Sequence, residues 1–434
     1  MDAPAKPHPD PLTARSRWSG MVRPAEVRAS SVLHILITAY AIAGFAIAVW
    51  MAWRITHNDL LPNMPTTGRW ATFDWLTNYQ AGFVRRGLLG EVLLRLSDAT
   101  GVSVLNLAFA GMVAVYGAFA AAQIALFRSI PDASPALMII FAPFMLGFEV
   151  LMTSATGRKD VILLAVLAML AVCHVRRRPD EPSRAPEIAL CALPALVLIH
   201  EAFFLYSPYI LVFALLDPAT RTRRLRLGAL WLASGVALGA AVVFHGSAHQ
   251  AAGICQALGD RIKLPNFGSA CLGGGAISML KASLAQGWDH FRQTYGNQTS
   301  LTVTPALLLI SAAFLPMSGF ISQLKQSRPR RFLVISIGAL CALTMSLPLF
   351  IAADDWGRWI RMHAVALGFI LCAELARGQR EGWARPGPLA TTVLGSSGYM
   401  AAVVLYASMW DFNIVGQLIG GGFFGRLLGL GIAA

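Results

Sequence analysis

The chain has 434 residues, 56% of them apolar and only 13% charged, with a mean hydropathy of +0.59. Soluble globular domains carry about 25% charged residues, so a soluble enzyme or binding module is excluded. The formal net charge of +13 would suit nucleic acid. Most lysines and arginines, however, sit in short connections between apolar runs, the pattern that orients a membrane protein, and no nucleic-acid partner is expected.

In chain order, residues 1–30, rich in Pro, Ala and Arg, read as a disordered basic cytoplasmic tail. Ser31–Trp53 is too long for the core of a signal peptide and reads as a retained first span. Further apolar runs near 101–127, 135–153, 160–175, 187–200, 202–216, 228–246, 302–323, 332–352, 361–376 and 388–410 bring the expected total to eleven. The fold class is therefore all-α, a polytopic transmembrane helix bundle forming one domain over 31–434. The stretch 187–216 is long for one helix and short for two. Basic flanks on both sides require an even number of crossings, so a broken-helix hairpin turning near His200 and Glu201 is predicted.

With the N-terminus inside, lysine and arginine are denser in the connections expected inside. Residues 54–100 and 247–301 are then the two large extracytoplasmic loops. In the first, "DWLTNYQAGFVRRGLLGEVLLRLSD" (residues 74–98) holds Asp74, Tyr79, Arg85 and Arg86, followed by an amphipathic segment. There Leu89, Val92, Leu93 and Leu96 share a helical face, and Glu91 and Arg95 have i,i+4 spacing. An interfacial helix is predicted. In the second loop Cys255 and Cys271 can form a disulfide on an oxidising side, while Cys173, Cys191, Cys341 and Cys372 read as small buried hydrophobes.

Other charges fall in short connections on the same expected leaflet: Glu149, Arg158-Lys159-Asp160, His200-Glu201, and Asp354, Asp355, Arg358 and Arg361. Ionisable groups at membrane depth are costly and point to function. A carboxylate can take a proton from an acceptor hydroxyl, and arginine forks match a phosphate leaving group. Each group has a plainer reading as well: Asp74 as a helix N-cap, Arg85-Arg86 as headgroup anchors, 158–160 as a self-neutralising turn, and Asp354, Asp355 and Arg358 as a local salt bridge. Glu374 and the inner arginines read as structural.

This layout resembles the GT-C-type polytopic glycosyltransferases and the bacterial O-antigen and exopolysaccharide polymerases. It shares one span, a long first outer loop with an acid some twenty residues on, and many spans with short turns. The resemblance implies a bacterial inner-membrane enzyme, N-terminus cytoplasmic, using a polyprenyl-phosphate or polyprenyl-diphosphate sugar donor and a glycan or lipid acceptor. Asp74 would be the catalytic acid with Glu201 as second choice. Arg85, Arg86, Arg158, Lys159 and Arg358 would hold donor phosphate, and Tyr79, Glu149, Asp160, His200, Asp354, Asp355 and Arg361 would line the cavity. Asp74 is followed by Trp75 rather than a second acid, so no cofactor is required, and a divalent metal is left open. The rival expectations are a transporter or flippase for a lipid-linked or charged substrate, and an acyltransferase using His200 or His245.

Overall fold

A computed structural model describes residues 24–434 except 58–65, 146–155, 179–180, 218–219, 265–266, 274, 283–285, 287, 290–291, 293–299, 353–354, 385–395, 413–418 and 422–434. The described residues are mainly helical, with one short antiparallel pair among them, β1 (Trp410–Phe412) with β2 (Ile419–Gly421). Among the described residues six helices are long and apolar enough to cross a membrane, and the chain is a polytopic membrane protein.

The first helix, α1, runs Pro24–His57, so the helix begins seven residues before the expected tail boundary. Next come α2 (Thr66–Leu76), α3 (Leu88–Thr100) and α4 (Val104–Phe127). Over its described residues, 135–145, the third expected span is not one regular helix. Only α5 (Leu137–Ile140) and a stretch of turns to Met145 are described before the chain re-enters at Thr156, and Glu149 lies outside the described residues. The hairpin is present. Helix α6 (Asp160–Arg176) leads to α7 (Ala185–Ile199), the chain breaks at His200 and Glu201, and α8 (Ala202–Tyr206) and α9 (Pro208–Leu216) return. The Ser183 amide donates to Asp217 Oδ2 at 2.9 Å, closing the foot of the hairpin. Helix α10 (Arg221–Val243) follows, its Thr220 cap accepting from the Arg223 amide. The second loop folds into α11 (Ala248–Ile262) and α12 (Phe267–Leu272), and a disulfide joins Cys255 to Cys271. The remainder is α13 (Ser300–Phe314), α14 (Ser318–Ser327), α15 (Pro329–Ala352), α16 (Trp356–Arg380) and α17 (Ser397–Met409).

Helix α16 is the axis of the bundle. Its apolar window is 83% buried, against 17% for α1, α10 and α15, whose outward faces keep leucine, isoleucine and valine exposed as lipid would require. Helices α6 and α16 run the same way: Asp160 meets Arg358 at one end and His174 meets Glu374 at the other. The bundle thus has two poles. Cys173, Cys191 and Cys341 lie on its exposed surface rather than in the core, and only Cys372 is buried.

Candidate functional site

The first pole is organised by the turn Gly157-Arg158-Lys159-Asp160. Gly157 has φ +80, and a Cβ there would meet Ile55 Cδ1 at 2.3 Å. Only glycine tolerates both constraints. Its amide donates to Tyr116 Oη at 2.7 Å, and its carbonyl accepts from Trp75 Nε1 at 2.6 Å. Held in this way, the next three residues point in three directions.

Arg158 donates to Asp355 Oδ2 at 2.9 Å and lies over the Trp70 ring. The Lys159 ammonium donates to the carbonyls of Arg86 (3.0 Å) and Ile199 (3.2 Å) and sits 3.6 Å from Asp74 Oδ1. Asp160 accepts both arms of Arg358, which also donates to Asp355 Oδ2 (2.9 Å) and to His200 Nε2 (2.8 Å). Because a guanidinium only donates, Nε2 of His200 must carry a lone pair. Four carboxylates (Asp74, Asp160, Glu201, Asp355) and four cations (Arg86, Arg158, Lys159, Arg358) meet in one cluster. The 158–160 turn is therefore not self-neutralising, since each of its charges pairs with another element. The local Asp355–Arg358 bridge does form, as one part of the larger network.

Arg86 closes the cluster. It grips Glu201 bidentately, Nε donating at 3.0 and 2.8 Å and Nη2 at 2.5 Å. Its backbone is left-handed, φ 64, a conformation costing a non-glycine residue about 1–2 kcal/mol. Burial opposes its charge, but the Glu201 carboxylate overrides this and holds its pKa above the ordinary arginine value. Burial lowers the Lys159 pKa, with Asp74 offsetting part of the effect. The Arg86 and Glu201 side chains keep 18% and 15% exposure, against 0% and 2% for Lys159 and Asp74, so the Arg86–Glu201 pair forms the mouth.

Asp74 lies in the last turn of α2, so it is not an N-cap. Its Oδ1 is buried and accepts no hydrogen bond, for the Lys159 ammonium at 3.6 Å reaches it only as an ion pair. Asp160, Glu201 and Asp355, by contrast, all accept from arginine.

Other expected members stand apart. Arg85 donates to the Met279 carbonyl at 3.1 Å, under the second loop, and burial lowers its pKa. The Tyr79 hydroxyl is buried without a hydrogen-bond partner, its pKa pushed up to about 12 by burial and by Glu91. Arg361 turns away from the cluster to the carbonyls of Phe144 (3.0 Å) and Met145 (3.4 Å). Asp354 lies outside the described residues.

Helix α3 carries the expected Glu91–Arg95 pair at 2.8 Å. Its buried face, however, is Gly90, Leu93 and Leu94, while Val92 and Leu96 are each 46% exposed. Helix α3 packs on the end of α2 as well as on α4. A Cβ on Gly90 would come 2.0 Å from the Thr77 carbonyl oxygen.

Sequence reasoning overlooked Trp75, Tyr116 and Gly157, which hold the central turn. Nothing in their spacing relates residues 41 and 82 positions apart. Among the described residues no three His, Cys, Asp or Glu side chains converge as a metal-ligand set. A separate cleft lies at the opposite pole, between the first turns of α7 and α10.

No curated protein and no solved structure matches the chain. The family described as uncharacterised membrane protein Rv1490 matches residues 40–271, which hold Asp74, the Arg85-Arg86 turn, Arg158-Lys159-Asp160 and the His200-Glu201 break. That span is just over half of the 434 residues, and the chain belongs to this family.

Proposed function

We propose that the Asp74–Arg86–Glu201 cluster is the active site of a membrane glycosyltransferase or polysaccharide polymerase taking its sugar from a polyprenyl-phosphate or polyprenyl-diphosphate donor at the extracytoplasmic face of a bacterial inner membrane. The observation that carries this reading is the buried Oδ1 of Asp74, the one oxygen of the cluster's carboxylates singled out by burial without a hydrogen bond. An underbonded carboxylate oxygen beside a cation can act as a proton acceptor.

Donor phosphate would enter at the mouth and displace Glu201 from Arg86, exchanging one anion for another on a rigid guanidinium fork. The left-handed backbone of Arg86 holds that fork in place, as strained residues at functional sites often do. The acceptor hydroxyl oxygen then forms a bond to the sugar's anomeric carbon while the carbon–oxygen bond to phosphate breaks. The bonding pair leaves with phosphate, and the hydroxyl proton passes to Asp74. Sidedness is supported by the Cys255–Cys271 disulfide, since such bonds persist in oxidising compartments. The disulfide-bearing loop packs on this pole: Gln250 donates to the Phe83 carbonyl (3.2 Å) and Arg261 to Asp98 (3.0 Å).

The test is transfer from a radiolabelled polyprenyl-phosphate sugar in membrane vesicles. Asp74→Asn is expected to lower the rate per folded molecule by about 10²–10⁴, and Arg86→Gln to weaken donor use. Wild-type transfer by both variants would refute the assignment. Substrate crossing the vesicle membrane without covalent change would instead support a transporter.

A further inference from the structure

We propose that Arg85 is a second seat for the Glu201 carboxylate, which moves there when a donor phosphate takes Arg86. The donor that fits is then a polyprenyl-monophosphate sugar, with one negative charge, rather than a diphosphate with two. Both statements rest on the reading of the cluster as a donor site.

Each carboxylate of the cluster has a cation: Asp74 has Lys159, Asp160 has Arg358, Asp355 has Arg158 and Arg358, and Glu201 has Arg86. Arg85, next to Arg86 in the chain, has no carboxylate partner among the described residues. Its Nη2 donates to the Met279 carbonyl at 3.1 Å, and its buried Nε makes no hydrogen bond. Its amide donates to the Phe244 carbonyl at 3.0 Å, which fixes the backbone there. The neighbouring charges act on one another: beyond burial, Arg86 lowers the Arg85 pKa and Glu201 raises it. A half-buried guanidinium with an idle N–H and a like charge beside it favours an anion.

Glu201 can supply that anion. It lies at the mouth, and among the described residues only Arg86 donates to its side chain, so loss of Arg86 frees both its oxygens. A phosphate on Arg86 would leave Glu201 without a cation, and a partly buried carboxylate so stranded is costly. A move to Arg85 removes that cost. With one singly charged phosphate on Arg86 and Glu201 on Arg85, every charge of the cluster is paired. A diphosphate would occupy both guanidiniums and strand Glu201. The plainer alternative makes Arg85 a direct phosphate ligand, its idle N–H taken by an oxygen of the donor. The two arrangements differ in whether Arg85 still matters once residue 201 carries no charge.

The experiment uses the full chain in detergent micelles. Native mass spectrometry measures retention, per folded molecule, of undecaprenyl-phosphate-glucose and undecaprenyl-diphosphate-glucose. The parent is expected to favour the monophosphate by about tenfold. Arg85→Gln is expected to lower monophosphate retention by about tenfold in the parent. In the Glu201→Gln background, where no carboxylate needs a seat, the same change is expected to cost less than about twofold. Glu201→Gln alone leaves two guanidiniums unclaimed and is expected to shift the preference toward the diphosphate by about tenfold. That preference is a ratio within one protein, so a low yield of folded variant does not alter it. Equal losses from Arg85→Gln in both backgrounds would make Arg85 a phosphate ligand and overturn the hand-over, as would no loss in either. An unchanged preference in Glu201→Gln would overturn it too. A parent that prefers the diphosphate overturns the charge class and leaves a donor site standing. Retention of neither donor overturns the donor site itself, and the hand-over with it.

Discussion

At one pole Arg358, Lys159 and Arg158 lie at the starts of α16 and α6, where the positive end of the helix dipole disfavours cations. At the other pole His174, Arg377 and Arg380 lie in last turns, where cations are favoured. There Glu374 accepts from His174 Nε2 at 2.7 Å and from Arg331 at 3.1 Å, and Arg177 pairs with Asp217 at 2.8 Å. Arg377 and Arg380 also donate to the carbonyls of His174 (3.5 Å) and Val175 (3.3 Å) at the end of α6. Helix-end chemistry accounts for that second network. It does not account for the first, whose cations sit where the backbone repels them and stay only because four carboxylates converge. The lesson is that buried charge by itself does not mark function; charge placed against the local backbone field is the stronger sign.

Three substitution experiments break or sharpen this contrast, the largest effect first. Arg358→Ala would strand the buried Asp160, while Asp355 keeps Arg158, and is expected to cost about 3–5 kcal/mol, as removal of one partner from a buried ion pair does. Arg331→Ala at the opposite pole is expected to cost clearly less, because Arg331 keeps 19% exposure and Glu374 retains His174. Denaturant unfolding in micelles compares them, and equal losses would erase the distinction.

A smaller effect tests the strained turn. Arg86→Gly and Arg86→Ala both lose the Glu201 pair, but only glycine is at ease at φ 64. The glycine variant should be the more stable of the two by about 1 kcal/mol. No difference between their unfolding midpoints would mean that the turn relaxes and that Arg86 stores no strain.

The smallest effect concerns the rim. Arg261 holds the Asp98 carboxyl below the usual aspartate range. A depressed folded pKa contributes stability above the unfolded value and loses it as pH falls through the folded one. The tie between α3 and α11 should therefore loosen in acid. Arg261→Gln should remove that part of the dependence, read as the difference in melting temperature between about pH 6 and about pH 3.

The hairpin at 187–216 was legible because two basic flanks demand two crossings, whatever the packing. The Glu91–Arg95 pair was legible because helical spacing is local. The buried face of α3 was not legible. Its hydrophobic pattern gave an apolar face for the interface, whereas the close approach of Gly90 to the Thr77 carbonyl depends on how α2 and α3 pack. The expected candidates 158–160, 200–201 and 355–358 do meet. Arg85 and Arg361, equally good by sequence, turned to other partners, and the Tyr79 hydroxyl is buried without a hydrogen bond, because side-chain direction depends on turns that neighbouring helices hold in place.

Hydropathy and the distribution of lysine and arginine alone determined that this chain is a helical membrane protein, because desolvating a backbone in lipid leaves few structures to choose from. Which charges became partners was decided only by tertiary structure. Ion pairs between residues 115 to 198 positions apart depend on how helices stack and how Gly157 and Arg86 bend the chain, and no local pattern encodes those distances.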